Sequence, residues 1–322
     1  MFTAPDFSKK QIVFVFFNEG EKLAFSNDNL VVKTADGKIK FQCTCYRLFL
    51  VFAVGHTSIT SALIQKAYKF GFFIALMTSG FRLYSIIGAV KEGNTLLHSK
   101  QYQYSDIGIA KTIAINKMSN QLAELKLVRN KNECIKEAIA IIPEYIEKAK
   151  TSETISELMA YEGLTSKIYF RNHFNNVLWQ GRQPRIKRDY VNSSLDIGYT
   201  LLFTFVDALL SSYGFDNYCG VYHRQFYMRK SLVCDIVEPF RVIIDHEVKK
   251  AINLKQIKED DFILINGQYR LKWENSPRYT EVLMKPILEN KEGIFTYIQS
   301  YYRAFMKELS AEDFPIFEWG DQ

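Results

Sequence analysis

The sequence predicts an α+β protein: a small amino-terminal β-sandwich-like domain with one helix, followed by a larger all-α domain. Three observations carry this. Short runs rich in β-branched and aromatic residues fill roughly the first 90 positions. Polar turns such as "SNDN" and "ADGK" separate them. From about Asp106 onward, apolar residues recur at spacings of three and four, the period of a helix. The expected division is residues 1–90, a linker over 91–105, and a helical domain over 106–322.

Taken in order, "QIVFVFF", "KLAFS", "NLVVKT" and "KIKFQCTC" are expected strands, and "YRLFLVFAVG" is a buried one. Thr57–Phe70 reads as a single helix capped by Thr57 or Ser58. "FFIALMT" and "RLYSIIGAV" return to strand. The character changes near "KEGNTLLHSKQYQYS". Expected helices then follow in "DIGIAKTIAINKMSNQLAELKLV", "KEAIAIIPEYIEKA", "TISELMAYEGLTSKIYFRNHF", "LDIGYTLLFTFVDALLSSYG" and "SLVCDIVEPFRVIIDHEVKKAI". Pro239 falls inside the last of these. It cannot donate to the Asp235 carbonyl, so a kink is expected there.

The chain has 322 residues, of which 48% are apolar and 15% aromatic, a composition that packs a core and excludes disorder. Its net charge of +6 suits an anionic partner. The cysteines, Cys43, Cys45, Cys134, Cys219 and Cys234, are odd in number and form no CxxC pair. They read as reduced thiols of a cytoplasmic protein. The amino terminus lacks a signal-peptide layout, and no run of about 18 uncharged apolar residues predicts a membrane span. Neither GxxxxGK[ST] nor GxGxxG is present, so bound ATP or NAD is not expected.

Three stretches carry candidate chemistry. In "ELMAYEGLTSKIYF", Leu158, Glu162, Ser166 and Phe170 share a helix face. A carboxylate in such a stripe is costly to bury unless paired or metal-bound. Gly163 beside it costs a helix about 0.5–1 kcal/mol relative to alanine, which close approach of a backbone or ligand would offset. The plainer reading is a surface glutamate beside a packing glycine. In the second stretch His223 precedes a helix opened by Ser231, on which Asp235 and Glu238 stand at i and i+3. A lone histidine is commonly structural. One imidazole with two or three carboxylates instead suits Mg²⁺ or Mn²⁺. Spacing alone does not bring Glu162 and Glu238 together. The third feature is basic: Arg182, Arg185, Lys187 and Arg188 in one run, and Arg224, Arg229 and Lys230 interleaved with Phe226 and Tyr227. Such mixtures suit a phosphate backbone and unstacked bases, or are solvated loops.

"EGLTSKIYF", "NSSLDIGYTLL", "GVYH" and "SLVCDIVEPFR", in this order, resemble CRISPR-associated protein one, the spacer-acquisition integrase. "NDNLVV", "YRLFLVFAVGHTSITSALIQKAYKFG" and "GNTLLHSKQY" are similar to that family's β domain and hinge, so the resemblance spans nearly the whole chain. It implies that the helical domain is catalytic, with Glu162, His223 and Glu238 as ligands of Mg²⁺ or Mn²⁺ and Asp235 as a supporting acid. It implies double-stranded DNA, both fragment and CRISPR repeat, as substrate, a homodimer, and CRISPR-associated protein two as partner, in a prokaryotic cytoplasm. The implied reaction joins the 3′-OH of a short DNA fragment to the repeat by transesterification. Two alternatives stand beside it: a stand-alone metal-dependent nuclease on branched DNA, and a non-catalytic DNA-binding scaffold.

Overall fold

The computed structural model describes residues 3–91, 93–174, 179, 181–223 and 226–320. They form two compact units.

The first unit comprises Met1–Thr95 together with Thr204–Phe215. A short helix α1 (Ala4–Ser8) opens it, closed by a capping box between Thr3 and Asp6. The strands follow as expected: β1 (Gln11–Phe16), β2 (Lys22–Ser26), β3 (Asn29–Lys33), β4 (Ile39–Thr44) and β5 (Leu48–Val54). After helix α2 (Ser61–Phe70) come β6 (Phe73–Met77) and β7 (Leu83–Gly88). One sheet has the order β1-β5-β6-β7, with β1, β5 and β6 parallel and β7 antiparallel. The other is an antiparallel meander, β2-β3-β4. All seven residues of β5 are buried, which explains why it reads as an unbroken apolar run and not an alternating one. Both sheets and α2 supply one core, including Val15, Leu23, Val32, Val51, Leu63 and Ile74.

Helix α2 starts later than the sequence suggests. Its cap is Thr60, whose hydroxyl accepts from the Leu63 N–H at 3.3 Å; neither Thr57 nor Ser58 serves. The cap is set by Leu63, the first side chain of this helix to be fully buried. Its end is Gly71, held in the left-handed region at φ +75°.

The second unit comprises Leu96–Phe203 and Asp216–Gln322. Helix α3 (Thr95–Gln103) occupies most of the expected linker. Then come α4 (Gly108–Leu127), α5 (Glu133–Thr151), α6 (Ile155–His173) and α7 (Tyr190–Tyr213). Thr204–Phe215, left in the second domain by the sequence division, groups with the first unit, so α7 belongs to both. Helix α8 (Ser231–Val237) gives way to a 3₁₀ turn at Glu238–Phe240 and then to α9 (Arg241–Asn253), which is the break expected at Pro239. The Asp235 carbonyl accepts from the Glu238 N–H instead. A hairpin that the helical period hid, β8 (Phe262–Ile265) and β9 (Gln268–Leu271), turns through Asn266 and Gly267, both with positive φ. Helices α10 (Ser276–Glu289) and α11 (Lys291–Lys307) close the chain.

Helix α4 carries two stripes. Its apolar stripe, Ala110, Ala114, Met118, Leu122 and Leu125, packs with Ile142 and Ala149 of α5 and with Leu158 and Tyr169 of α6. Its polar residues Asn116, Asn120, Gln121 and Glu124 are equally buried. Helix α7 is long and apolar enough to cross a membrane, but 83% of its most apolar window is buried in the protein, as in a core helix. None of the five cysteines forms a disulfide.

Gly198 on α7 is a contact point with α9: a Cβ there would stand 2.5 Å from Ile244 Cγ2. Gly198→Ala is expected to destabilise the protein by roughly 1–3 kcal/mol, the range for overpacking. Chemical denaturation measures it, and an unchanged midpoint would mean that the two helices part freely.

Candidate active site

The residues singled out on α6 and α8 do meet. Glu162 of α6 and Glu238 of the 3₁₀ turn both form ion pairs with one ammonium, that of Lys117 on α4; Glu238 Oε2 lies 2.6 Å from Lys117 Nζ. Ser166, one turn after Glu162, donates to Glu162 Oε1 at 2.8 Å and accepts from Gln121 Nε2 at 3.2 Å. The i, i+4 relation read from sequence is therefore a hydrogen bond. Arg241 reaches the other Glu238 oxygen at 3.0 Å, and its guanidinium lies over the Tyr199 ring, 4.7 Å from the centroid.

Burial by itself would raise the Glu238 carboxyl, but Arg241, Lys117 and His223 outweigh it and hold that carboxyl well below the usual range. The converse holds for Lys117: burial opposes its charge, and Glu162 and Glu238 restore it and push its pKa up.

His223 is placed by Asp235. One Asp235 oxygen accepts the backbone N–H groups of Val221 and Tyr222, at 2.7 and 3.0 Å. The other accepts the His223 N–H at 2.8 Å and its ring Nδ1 at 2.7 Å. A fully buried carboxylate with four donors is saturated. Asp235 thus orients the imidazole, leaving Nε2 to face Glu238 Oε1 at 4.0 Å. Gly220 allows this approach, since a Cβ there would stand 2.7 Å from Asp235 Oδ2 and 2.8 Å from the Ser231 backbone. An open pocket of about 500 Å³ adjoins His223, lined by Gly220–His223 and by Thr154, Ile155 and Ser156 at the start of α6.

Among the described residues no three His, Cys, Asp or Glu side chains close around one point as a finished metal shell. Where two carboxylates converge, the cation present is Lys117. Around Gly163 a Cβ would meet nothing within 4 Å, so no neighbouring backbone explains that glycine.

The basic candidates separate. Arg182 is committed to Asn192 at 2.9 Å and to Asp196 at 2.6 Å. Lys187 is half-buried, and burial lowers its pKa. Arg185 and Arg188 are exposed. The Arg229 side chain donates to the Cys234 thiol, and Lys230 is half-buried. Arg224 lies outside the described residues. Between them Phe226, Tyr227 and Met228 form an exposed turn closed by the Arg229 N–H to the Phe226 carbonyl at 2.9 Å.

Sequence reasoning missed Lys117, Arg241 and Tyr222. The signal for Lys117 was present: Lys117, Gln121 and Glu124 stand at i, i+4 and i+7 on a helix with no other reason for a polar stripe. A second buried network continues from it. Tyr199 donates to Asp245, and Glu124 meets His246 Nδ1 and Trp319 Nε1 at 3.1 and 2.7 Å. His173 Nε2 meets the Asp245 carbonyl at 3.0 Å.

The profile of the family described as "CRISPR associated protein Cas1" matches residues 14–284. The chain is 30% identical over 226 residues to the CRISPR-associated endonuclease Cas1 1 of Thermodesulfovibrio yellowstonii, covering 66% of this chain and 71% of that protein. Among solved structures it resembles a chain of a Cas6-RT-Cas1–Cas2 complex, with TM-score 0.82 and 22% identity over 97% of this chain; it spans 36% of that one. It also resembles a casposase bound to integration product, with TM-score 0.77 and 18% identity, covering 98% of this chain and 96% of that one. The chain belongs to the Cas1 family.

Burial pushes the Asp245 carboxyl up to about 7. Its folded value lies above its unfolded one, so its neutral form favours folding at low pH and that contribution disappears as pH rises through 7. Asp245→Asn is expected to raise the melting temperature at pH 8.5, with the gain shrinking toward pH 4. Calorimetry across that range checks it; a gain independent of pH would show that Asp245 does not titrate there.

Proposed function

We propose that this chain is a divalent-metal-dependent DNA integrase and endonuclease of CRISPR adaptation. It joins the 3′-OH of a short DNA fragment to the CRISPR repeat by exchanging one phosphodiester for another. The observation that carries the reading is the shared cation. Lys117 Nζ stands in as a positive charge that both Glu162 and Glu238 reach, with the His223 Nε2 turned toward the same carboxylate. Two carboxylates and one imidazole form a donor set that fits Mg²⁺ or Mn²⁺, so Glu162, His223 and Glu238 would hold the ion. When bound, the ion supplies charge to the scissile phosphate and acidifies the attacking hydroxyl.

The chain's own groups do the rest. Asp235 fixes the His223 tautomer. Arg241 keeps Glu238 ionised in a buried setting. Arg185 and Arg188, exposed, attract the DNA backbone, and the turn at Phe226–Met228 offers aromatic faces to an unstacked base close to His223. The open surface beside Gly163 leaves the Glu162 turn accessible to a ligand. The protein acts as a homodimer together with CRISPR-associated protein two; the second of these partners is supported by the Cas1–Cas2 complex to which one structural relative belongs. The casposase relative, bound to integration product, supports joining over simple hydrolysis. Water in place of the 3′-OH would turn the same site into a nuclease. A fragment blocked at its 3′ end separates the two, because joining stops and hydrolysis continues.

Glu162→Ala and His223→Ala are expected to abolish joining in Mg²⁺ or Mn²⁺ while leaving the circular dichroism spectrum unchanged. Asp235→Asn is expected to slow joining by roughly 10–100-fold, the usual effect of losing a residue that orients a ligand. A variant that joins at the normal rate removes that residue from the site. DNA affinity should fall linearly with salt on logarithmic axes, by about 0.9 per phosphate neutralised. A flat response would exclude backbone contact.

A further inference from the structure

Lys117 is more than a structural partner of two acids. Its side chain is 13% exposed, and those of Glu162 and Glu238 are 16% and 4% exposed. Glu162, Glu238, Lys117 and Arg241 carry two negative and two positive charges and balance one another, while Asp235, the further carboxylate nearby, is taken up by His223 and three backbone N–H groups. A divalent ion added to a neutral, poorly hydrated cluster would leave two uncompensated charges, and an unbalanced buried charge is costly. Either an ammonium must leave the carboxylates or new anions must come in. Arg241 is held from two sides, by Glu238 and by the Tyr199 ring. Lys117 is a point charge on a flexible four-carbon stem, bound to the two carboxylates alone among the described partners.

We propose that Lys117 is a placeholder cation: it holds Glu162 and Glu238 together in the metal-free protein, and yields that place to the metal as a DNA phosphate arrives to receive its charge. The proposal rests on the metal reading given under Proposed function. Its consequence is linkage. DNA supplies the anion that the displaced ammonium needs, so DNA tightens metal binding and metal tightens DNA binding by the same factor. The free protein binds metal weakly and is guarded against loading, and cutting, without substrate.

The test is Mn²⁺ binding by calorimetry or by the electron-spin signal of the free ion, with and without a duplex whose 3′ ends lack the hydroxyl. The wild-type protein, Lys117→Met and Lys117→Arg are compared. In free protein, Lys117→Met should bind Mn²⁺ about tenfold tighter than wild type, and Lys117→Arg, whose two-pronged guanidinium grips carboxylates harder, about tenfold weaker. The duplex should tighten Mn²⁺ binding by wild type at least about tenfold more than binding by Lys117→Met. Without metal, Lys117→Met should melt lower than wild type and regain that loss with Mn²⁺, whereas Lys117→Arg should not melt lower. Free Lys117→Met binding Mn²⁺ no tighter than wild type, or an equal effect of DNA on both, overturns the placeholder and leaves the metal site standing. Mn²⁺ binding by none of the three proteins, with or without DNA, overturns the metal reading itself.

Discussion

Two carboxylates on different elements, the half-buried Glu162 and the buried Glu238, stand within ion-pair reach of one ammonium. Much of the helical unit is arranged to make that tolerable. Like charges in a low-dielectric setting repel strongly, and each also loses its hydration. Helix α4 answers both problems. Lys117 meets the acids, and the neighbouring polar residues of the same helix fasten the elements that carry them. Gln121 meets Ser166, which donates to Glu162. Asn120 donates to the Pro239 carbonyl at 2.9 Å, pinning the turn that presents Glu238. Asn116 donates to the Phe317 carbonyl at 2.8 Å and accepts the Phe317 N–H at 2.9 Å, tying down the carboxy-terminal segment. A helix buried on nearly all sides keeps a polar stripe because each member has a partner.

The second constraint is local. Asp235 gathers three consecutive N–H groups and one imidazole nitrogen, so the Val221–His223 segment has one conformation that satisfies all of them. The loop needs no regular secondary structure to be rigid there. Pro239 contributes from the other side: α8 ends at Val237, and Glu238 leaves the helical path three residues after Asp235, which lies against Gly220. Orientation of the imidazole and presentation of the second acid are thus set within one short stretch, whereas the first acid comes from a helix some sixty positions earlier.

The amount legible in sequence follows from this division. Period and turn chemistry are local, and they gave the strands of the first unit, the main helices and the break at Pro239. The start of α2 was misread because Thr57, Ser58 and Thr60 are all competent caps, and only the burial of Leu63 chooses among them. The β8–β9 hairpin carried an Asn-Gly signal that a helical expectation for the whole region overrode. The grouping of Thr204–Phe215 with the first unit has no local signature, because α7 runs through the boundary without a break. At the site, acids and histidine were visible as residue types. The cation joining them was legible only as one member of the polar stripe Lys117, Gln121 and Glu124, because a lysine in a helix usually faces water and "INKMSN" alone does not say that this one is turned inward.

The basic residues show the same limit from the opposite direction. A run of four positive charges over Arg182–Arg188 reads as a surface for phosphate, yet Arg182 is used to hold Asn192 and Asp196 at the start of α7, with its guanidinium 5.2 Å from the Tyr199 centroid. Arg241 stands over the same ring and meets Glu238, so the run is partly a brace for the site. Because the carboxylates are already neutralised from within, the site itself projects little net field, and the pull on a polyanion must come from exposed residues such as Arg185 and Arg188. Long-range attraction and local chemistry are therefore carried by different side chains. On the proposed function, a change to the exposed arginines would act on how DNA arrives, and a change to the Lys117–Arg241 cluster on what the site does with it.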